Sequence, residues 1–163
     1  MANKSKNTEN LQKALAMELT AMHQYQLHAH VLDGWGLDLL AAKMREEMVE
    51  ELGHSDEYME RLMFLGASPE VKMDKAPQRA QSLKDMFEAD LADETEAIEF
   101  YSEAAKTAFE TGDVGTRALF ERIALDEEGH KGWLELQLGL LARLGEKTFS
   151  AKHMSPPTAE ADA

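Results

Sequence analysis

Glu51-Leu52-Gly53-His54 returns as Glu127-Glu128-Gly129-His130, 76 positions further along the chain. Residues three apart share one face of an α-helix, so each Glu-x-x-His motif presents a carboxylate and an imidazole side by side. Glu18 and Glu94 are separated by the same 76 positions. The neighbouring residues follow the shift as well: Leu11 with Phe87, Leu15 with Leu91, Met22 with Ile98, Tyr25 with Tyr101 and Ala42 with Ala118. One Glu-x-x-His in a chain with 31 acidic residues carries little weight. Two of them, at the offset that also pairs two seam glutamates, mark an internal duplication. Folding the halves together predicts a pseudo-two-fold site of four Glu and two His.

Outward from these motifs the chain reads as four long helices. Over 8–33, Leu11, Leu15, Met22, Tyr25, Ala29 and Leu32 recur at spacings of three and four, the period of one buried face. Asn7 or Thr8 fits the N-cap. A second helix over about 37–65 has the seam Leu40, Met44, Met48, Tyr58, Leu62 and Leu65. A third over about 82–111 turns Leu83, Phe87, Leu91, Ile98, Tyr101, Ala105 and Ala108 inward. Asp113 fits an N-cap for a fourth, which runs to about Leu144 with Phe120, Ile123, Leu134, Leu138 and Leu141 facing in. Residues 146–154 fit a short fifth helix. The expected organisation is one domain over 1–154 and a frayed tail over 155–163.

The first and third connections are short, so each joins an antiparallel pair. Between the second and third helices lie about sixteen residues without helical period, punctuated by Pro69 and Pro77. A 28-residue helix is about 42 Å long, and sixteen extended residues reach roughly 50 Å. This segment can climb the whole bundle, which is the ferritin-like arrangement of an all-α four-helix bundle with a long crossover.

Composition narrows the chemistry. Cysteine is absent, which excludes disulfides, thiolate metal sites and cysteine nucleophiles and leaves O and N ligands. The formal charge of −14 argues against a nucleic-acid partner, since phosphate binding relies on clustered Lys and Arg, and reads either as attraction of cations or as acidity that aids solubility. No run approaches the roughly 20 apolar residues of a membrane span. The polar start, Met1 to Thr8, lacks the apolar core of a signal peptide, so a cytoplasmic protein is expected. Four ionised carboxylates inside an apolar bundle each cost several kcal/mol unless compensated, and no Lys or Arg stands beside them in the seams. Two divalent cations supply that compensation, and oxygen with imidazole suits Fe(II) and Mn(II) while also accepting Zn(II).

From about Leu11 to Leu144 the chain resembles the bacterioferritins, most plainly in Ala14-Leu-Ala-Met-Glu-Leu-Thr-Ala21, His54-Ser-Asp-Glu-Tyr-Met-Glu-Arg61 and Asp126-Glu-Glu-Gly-His-Lys-Gly-Trp133. The resemblance implies two iron ions per subunit. Glu18 and Glu94 are then terminal ligands, Glu51 and Glu127 bridges, and His54 and His130 one ligand to each metal. It further implies Fe(II) oxidation by O2 or H2O2, one electron leaving each iron, and a homo-oligomeric shell, usually of 24 subunits, that holds ferric mineral. Two positions depart from the family. Its haem-ligating methionine is replaced by Leu52, so little or no haem b is expected unless a haem-bearing subunit shares the cage. Where the family often has His and Asp for an inner-surface iron site stand Glu46 and Glu50, read either as that site or as a solvated acidic face.

Tyr25 lies two turns from Glu18 on the same face and reads either as an oxidisable neighbour of the site or as packing. His23, His28 and His30 fall outside the first seam, so surface or intersubunit positions are expected. Trp35 and Trp133 read as packing, and Met44, Met48, Met59 and Met63 as core or dimer contact. Two other functions share the pattern: a rubrerythrin-like di-iron or di-manganese peroxidase, and a non-catalytic shell subunit of a mixed cage.

Overall fold

A computed structural model of the protein describes residues 2–156, with side chains from residue 6 onward; most of the expected tail over 155–163 lies outside the described residues. Four helices make the fold: α1 (Ala2–Gly34), α2 (Asp38–Phe64), α3 (Leu83–Glu110) and α4 (Val114–Ala151). The short turns after α1 and α3 make two antiparallel hairpins, and α1 packs against both α2 and α3. Among the described residues there is no strand, and no helix is long and apolar enough to cross a membrane.

The crossover climbs along α1 on a ladder of side-chain bonds. Gln12 donates to the Glu70 carbonyl and accepts from its N–H, both at 2.8 Å. Three turns up, Gln24 makes the same double bond with Gln78, again at 2.8 Å. Between them Thr20 Oγ1 accepts from Asp74 N at 2.9 Å. The rungs sit on one α1 face because residues four apart stack along a helix. They satisfy backbone groups that an irregular segment leaves open.

Helix ends follow side-chain chemistry. Ser82 caps α3 by accepting from Asp85 N at 3.1 Å, and Asp113 caps α4 by accepting from Thr116 N at 3.1 Å. Arg61, near the end of α2, reaches across to pair with Asp113 and to donate to Thr116 Oγ1 at 2.9 Å. Its guanidinium would lie 2.7 Å from a Cβ at position 115, so glycine there leaves the guanidinium its place against α4.

Three boundaries differ from the sequence expectation. α1 begins at Ala2, not at residue 8, because Asn7 does not cap it. Its amide instead donates to Thr111 Oγ1 at 2.8 Å and Asp113 Oδ2 at 3.2 Å, tying α1 to the α3–α4 turn. The short fifth helix over 146–154 is not a separate element. Gly145 takes φ 73° and ψ 155°, and the helical span resumes to Ala151 beyond this break. A positive φ costs glycine little, and the segment is held because Phe149 is fully buried with its ring 6.0 Å from that of Phe87. Ser155, expected in the tail, is tied to α2 through Asp38, its N–H at 2.8 Å from Oδ1.

The core is in two apolar clusters, one towards each end of the bundle. One is built around Leu32, Leu40, Met44, Phe87 and Leu134. The other is built around Leu11, Leu15, Leu62, Phe120 and Ile123. Fully burying such a side chain contributes about 1.5–3 kcal/mol, and this sum holds together a bundle whose middle layer is charged. Trp133 packs edge-on against Phe87 at 5.9 Å, as expected. Trp35 and Met63 are exposed, whereas Met44 is core and Met48 and Met59 pack at the cluster edges.

Candidate metal centre

Between the two apolar clusters each helix turns acid inward. Glu18 comes from α1, Glu51 and His54 from α2, Glu94 from α3, and Glu127 and His130 from α4; none is more than 8% exposed. The i, i+3 spacing aligns each histidine with its own glutamate. The ligand-type atoms fall into two groups, each within 4.8 Å: Glu18, Glu51, His54 and Glu127, and Glu51, Glu94, Glu127 and His130. Glu51 and Glu127 belong to both.

The distances repeat the duplication. His54 Nδ1 lies 3.1 Å from Glu51, 3.3 Å from Glu127 and 3.7 Å from Glu18. His130 Nδ1 lies 2.9 Å from Glu127, 3.3 Å from Glu51 and 3.7 Å from Glu94. The ring centroids are 6.5 Å apart. Two cation positions that share two carboxylates are therefore available, each with one further carboxylate and one imidazole.

Many of these atoms lack a hydrogen bond. Glu51 Oε1, both oxygens of Glu127, both nitrogens of His130 and Oε2 of neighbouring Glu47 are buried without one. The Glu127–His130 approach has the distance of an ion pair but not the angle of a hydrogen bond. A buried unsatisfied polar atom costs about 1–3 kcal/mol, so a cluster that keeps six of them fits a partner that satisfies all at once, such as a pair of divalent cations.

Electrostatics pull two of the cluster's carboxyls upward and one downward. Burial raises Glu94 to about 8, with Glu127 adding and His130 opposing. Burial also raises Glu51 well above the usual range, and Glu18 and Glu127 push it further. For Glu127 burial acts upward too, but the two imidazoles outweigh it and hold the carboxyl at about 2. Burial would lower both histidines, yet the carboxylates around them prevail and raise them.

Two tyrosines cross the centre. Tyr101 of α3 donates to Glu18 of α1 at 2.5 Å, and Tyr25 of α1 donates to Glu94 of α3. Tyr25 thus touches the centre through Glu94, the counterpart of the glutamate on its own helix. Tyr58 is buried beside Tyr101, 5.8 Å between centroids, with a hydroxyl that has no partner. Tyr58→Phe is accordingly expected to leave the melting temperature unchanged or slightly raised. Tyr25→Phe or Tyr101→Phe, each leaving a buried carboxyl oxygen without its partner, is expected to cost about 1–3 kcal/mol. Thermal unfolding of the metal-free variants measures this, and a Tyr58→Phe loss as large as the other two contradicts the assignment.

Several polar partners were not anticipated. Glu47 is buried with Oε2 2.8 Å from His130 Nε2, and its other oxygen pairs with Lys43. Glu50 lies 3.3 Å from the same nitrogen, and Asp126 lies 3.3 Å from His54 Nε2. Glu50 therefore groups with Glu47 and His130, not with Glu46, which stays exposed 3.8 Å from Lys43. His28, expected at the surface, is only 1% exposed. Its Nδ1 is 3.1 Å from buried Asp90 and its Nε2 is 2.7 Å from Gln24. His23 bonds to Gln26 at 3.2 Å, and neither His28 nor His30 joins the carboxylate groups. Leu52 is half exposed on α2.

Comparison with known proteins agrees with this architecture. The ferritin-like domain family matches residues 8–144. Bacterioferritin of Rhodobacter capsulatus is 37% identical over 156 residues, 96% of this chain and 97% of the relative. A structure of that protein, with a metal-free dinuclear site and heme iron, superposes with a TM-score of 0.91 at 38% identity, covering 96% of this chain and 98% of the other. The bacterioferritin BfrA of Mycobacterium tuberculosis superposes at 0.88 with 36% identity, covering 91% and 94%.

Proposed function

The chain belongs to the bacterioferritins of the ferritin-like family, and from that premise we propose that it stores iron and is itself a ferroxidase. The observation that carries this is the pair of overlapping ligand groups that share Glu51 and Glu127. Iron is the substrate here. Glu18, Glu51, His54 and Glu127 would hold one Fe(II), and Glu51, Glu94, Glu127 and His130 the other. The shared carboxylates fix two one-electron donors next to each other. O2 can then take two electrons and two protons to give H2O2, or H2O2 can take the same to give two waters, and each iron leaves as Fe(III). The apolar clusters above and below exclude bulk water, which strengthens every charge contact at the centre.

Further parts of the reading rest on the family and on single residues. The product collects in a homo-oligomeric cage, which we put at 24 subunits. Tyr25, bonded to the Glu94 carboxyl, serves as an oxidisable neighbour. Glu50, alone or with Glu46, passes iron towards the cavity. Leu52 offers no sulfur to a haem, so a pure homo-oligomer is expected to carry little. The test is to titrate metal-free protein with Fe(II), pulse with O2 and record absorbance on the millisecond scale. A rapid phase that saturates at two irons per chain is expected, one for each ligand group; no rapid phase would overturn the ferroxidase.

A further inference from the structure

Beneath the crossover a narrow cleft of about 40 Å³ opens between α1 and α3 and reaches the carboxylate cluster. Glu18, Glu94, Glu51 and Glu127 lie at its inner end. Glu51 Oε1 and both Glu127 oxygens there are buried and without a hydrogen bond. Asp74, Asp93 and Glu96 line the outer part, and Lys75 is the single base among the lining residues. Acidic walls over a low-dielectric interior concentrate cations at such a mouth. Lys75, half exposed on the outer part, opposes that field. It stands on the crossover and pairs with Asp93 on α3, so the ion pair ties the two sides of the mouth together. Asp74 beside it is neutralised by Lys13 at 2.6 Å and anchored to Thr20 through its N–H, so the crossover holds Lys75 in place.

We propose that Lys75 sets the rate at which divalent cations reach the two-metal cluster, through the ion pair with Asp93 that lies across the α1–α3 cleft. The proposal rests on the reading of the cluster as a two-metal site. A cation passing inward meets one positive charge in an otherwise acidic path. Its passage is fastest when that charge is displaced or absent and Asp93 is free to accept the ion in transit. Because these charges are partly exposed, the barrier is screened by salt. Removing the lysine charge is expected to speed filling by about tenfold at low ionic strength, the size of one unit charge acting on a divalent ion roughly 6 Å away in water. The gain shrinks as salt is added. Removing Asp93 instead leaves the lysine charge unpaired and slows filling.

The test is anaerobic stopped-flow mixing of the metal-free full chain with Co(II), followed by the growth of the Co(II) absorption bands, for wild type, Lys75→Met and Asp93→Asn. The expected result is about tenfold faster filling in Lys75→Met at low salt and slower filling in Asp93→Asn, with wild type ending at two Co(II) per chain. Circular dichroism of both variants checks that the helices persist. Equal rates in wild type and Lys75→Met, or slower filling in Lys75→Met, overturn the role of Lys75 while the two-metal end point stands. Wild-type protein that binds no Co(II) at the cluster overturns both the proposal and the reading beneath it.

Discussion

Glu127→Ala abolishes the rapid phase of iron oxidation and leaves the four helices intact: that is the outcome expected of the residue that belongs to both ligand groups. Losing a partner that merely supports a metal ligand already costs 10–100-fold. A carboxylate shared by both positions should therefore cost more than about 100-fold in the initial rate. Glu51→Ala should behave alike, because its oxygens face both histidines at 3.1 and 3.3 Å. Stability of the metal-free protein is a separate readout. Glu127 faces both imidazoles, at 3.3 and 2.9 Å, so its removal leaves two raised histidines short of a counter-charge and lowers the melting temperature near neutral pH. Glu128→Ala is the control. It is adjacent in sequence, but its side chain is exposed on the other face of α4. Initial rates under excess O2, with far-ultraviolet circular dichroism of each variant, decide the matter. Rates within twofold of wild type in both Glu51→Ala and Glu127→Ala would sink the ligand assignment.

What was legible in the sequence was whatever the duplication had copied. The 76-residue shift pairs Glu18 with Glu94, Glu51 with Glu127 and His54 with His130, and the structure gathers these six into one buried cluster. The crossover was legible because its length matches the height of a 28-residue helix. The hidden residues are those that break the repeat. Glu47 corresponds to Ile123, His28 to Ala104, Asp90 to Ala14 and Tyr58 to Leu134, so no internal copy draws attention to them. Yet all four are buried polar groups, and two of them pair with each other across α1 and α3. A seam reading treats a histidine next to Ala29 as off the core face, but α1 is buried on two sides, against α2 and α3, and His28 points into the second. The start of α1 was misplaced for a related reason. Asn7 looks like a cap in one dimension, while its amide is spent on Thr111 and Asp113, more than a hundred residues away. Local rules place helix ends only where the capping side chain has nothing better to bind.

Binding of two Zn(II) ions, which occupy the site without redox chemistry, is expected to expel about four protons per chain near pH 7 and to stabilise the fold more strongly as pH rises. Glu94 titrates at about 8, and Glu51 and both histidines are raised, so the metal-free centre holds protons on all four. Two dications that displace those four protons bring the same total charge. Metal therefore exchanges for protons at equal charge. The signs follow for stability. A carboxyl raised from its usual 4.5 to about 8 favours the fold while protonated, and that contribution is lost as pH climbs through this range. The raised histidines likewise support the metal-free fold fully below about 6.5 and lose that support as pH rises. Glu127, held at about 2, contributes constantly above its unfolded value and weakens the fold only in strong acid. The metal-free protein should thus melt progressively lower between about pH 5 and 9, whereas the loaded protein, its ligands already stripped of protons, should not. At free Zn(II) about 100-fold above the dissociation constant, each site adds about 2.7 kcal/mol. For a chain of this size two sites raise the melting temperature by about 10–20 °C. Proton release is read with a pH indicator in weakly buffered solution, and the melting shift by calorimetry across pH 6–8. Fewer than about one proton per chain, or a shift that is greater at pH 6 than at pH 8, would mean that the buried carboxylates are already ionised without metal. The cluster would then owe its survival in the apolar core to some compensation other than protons.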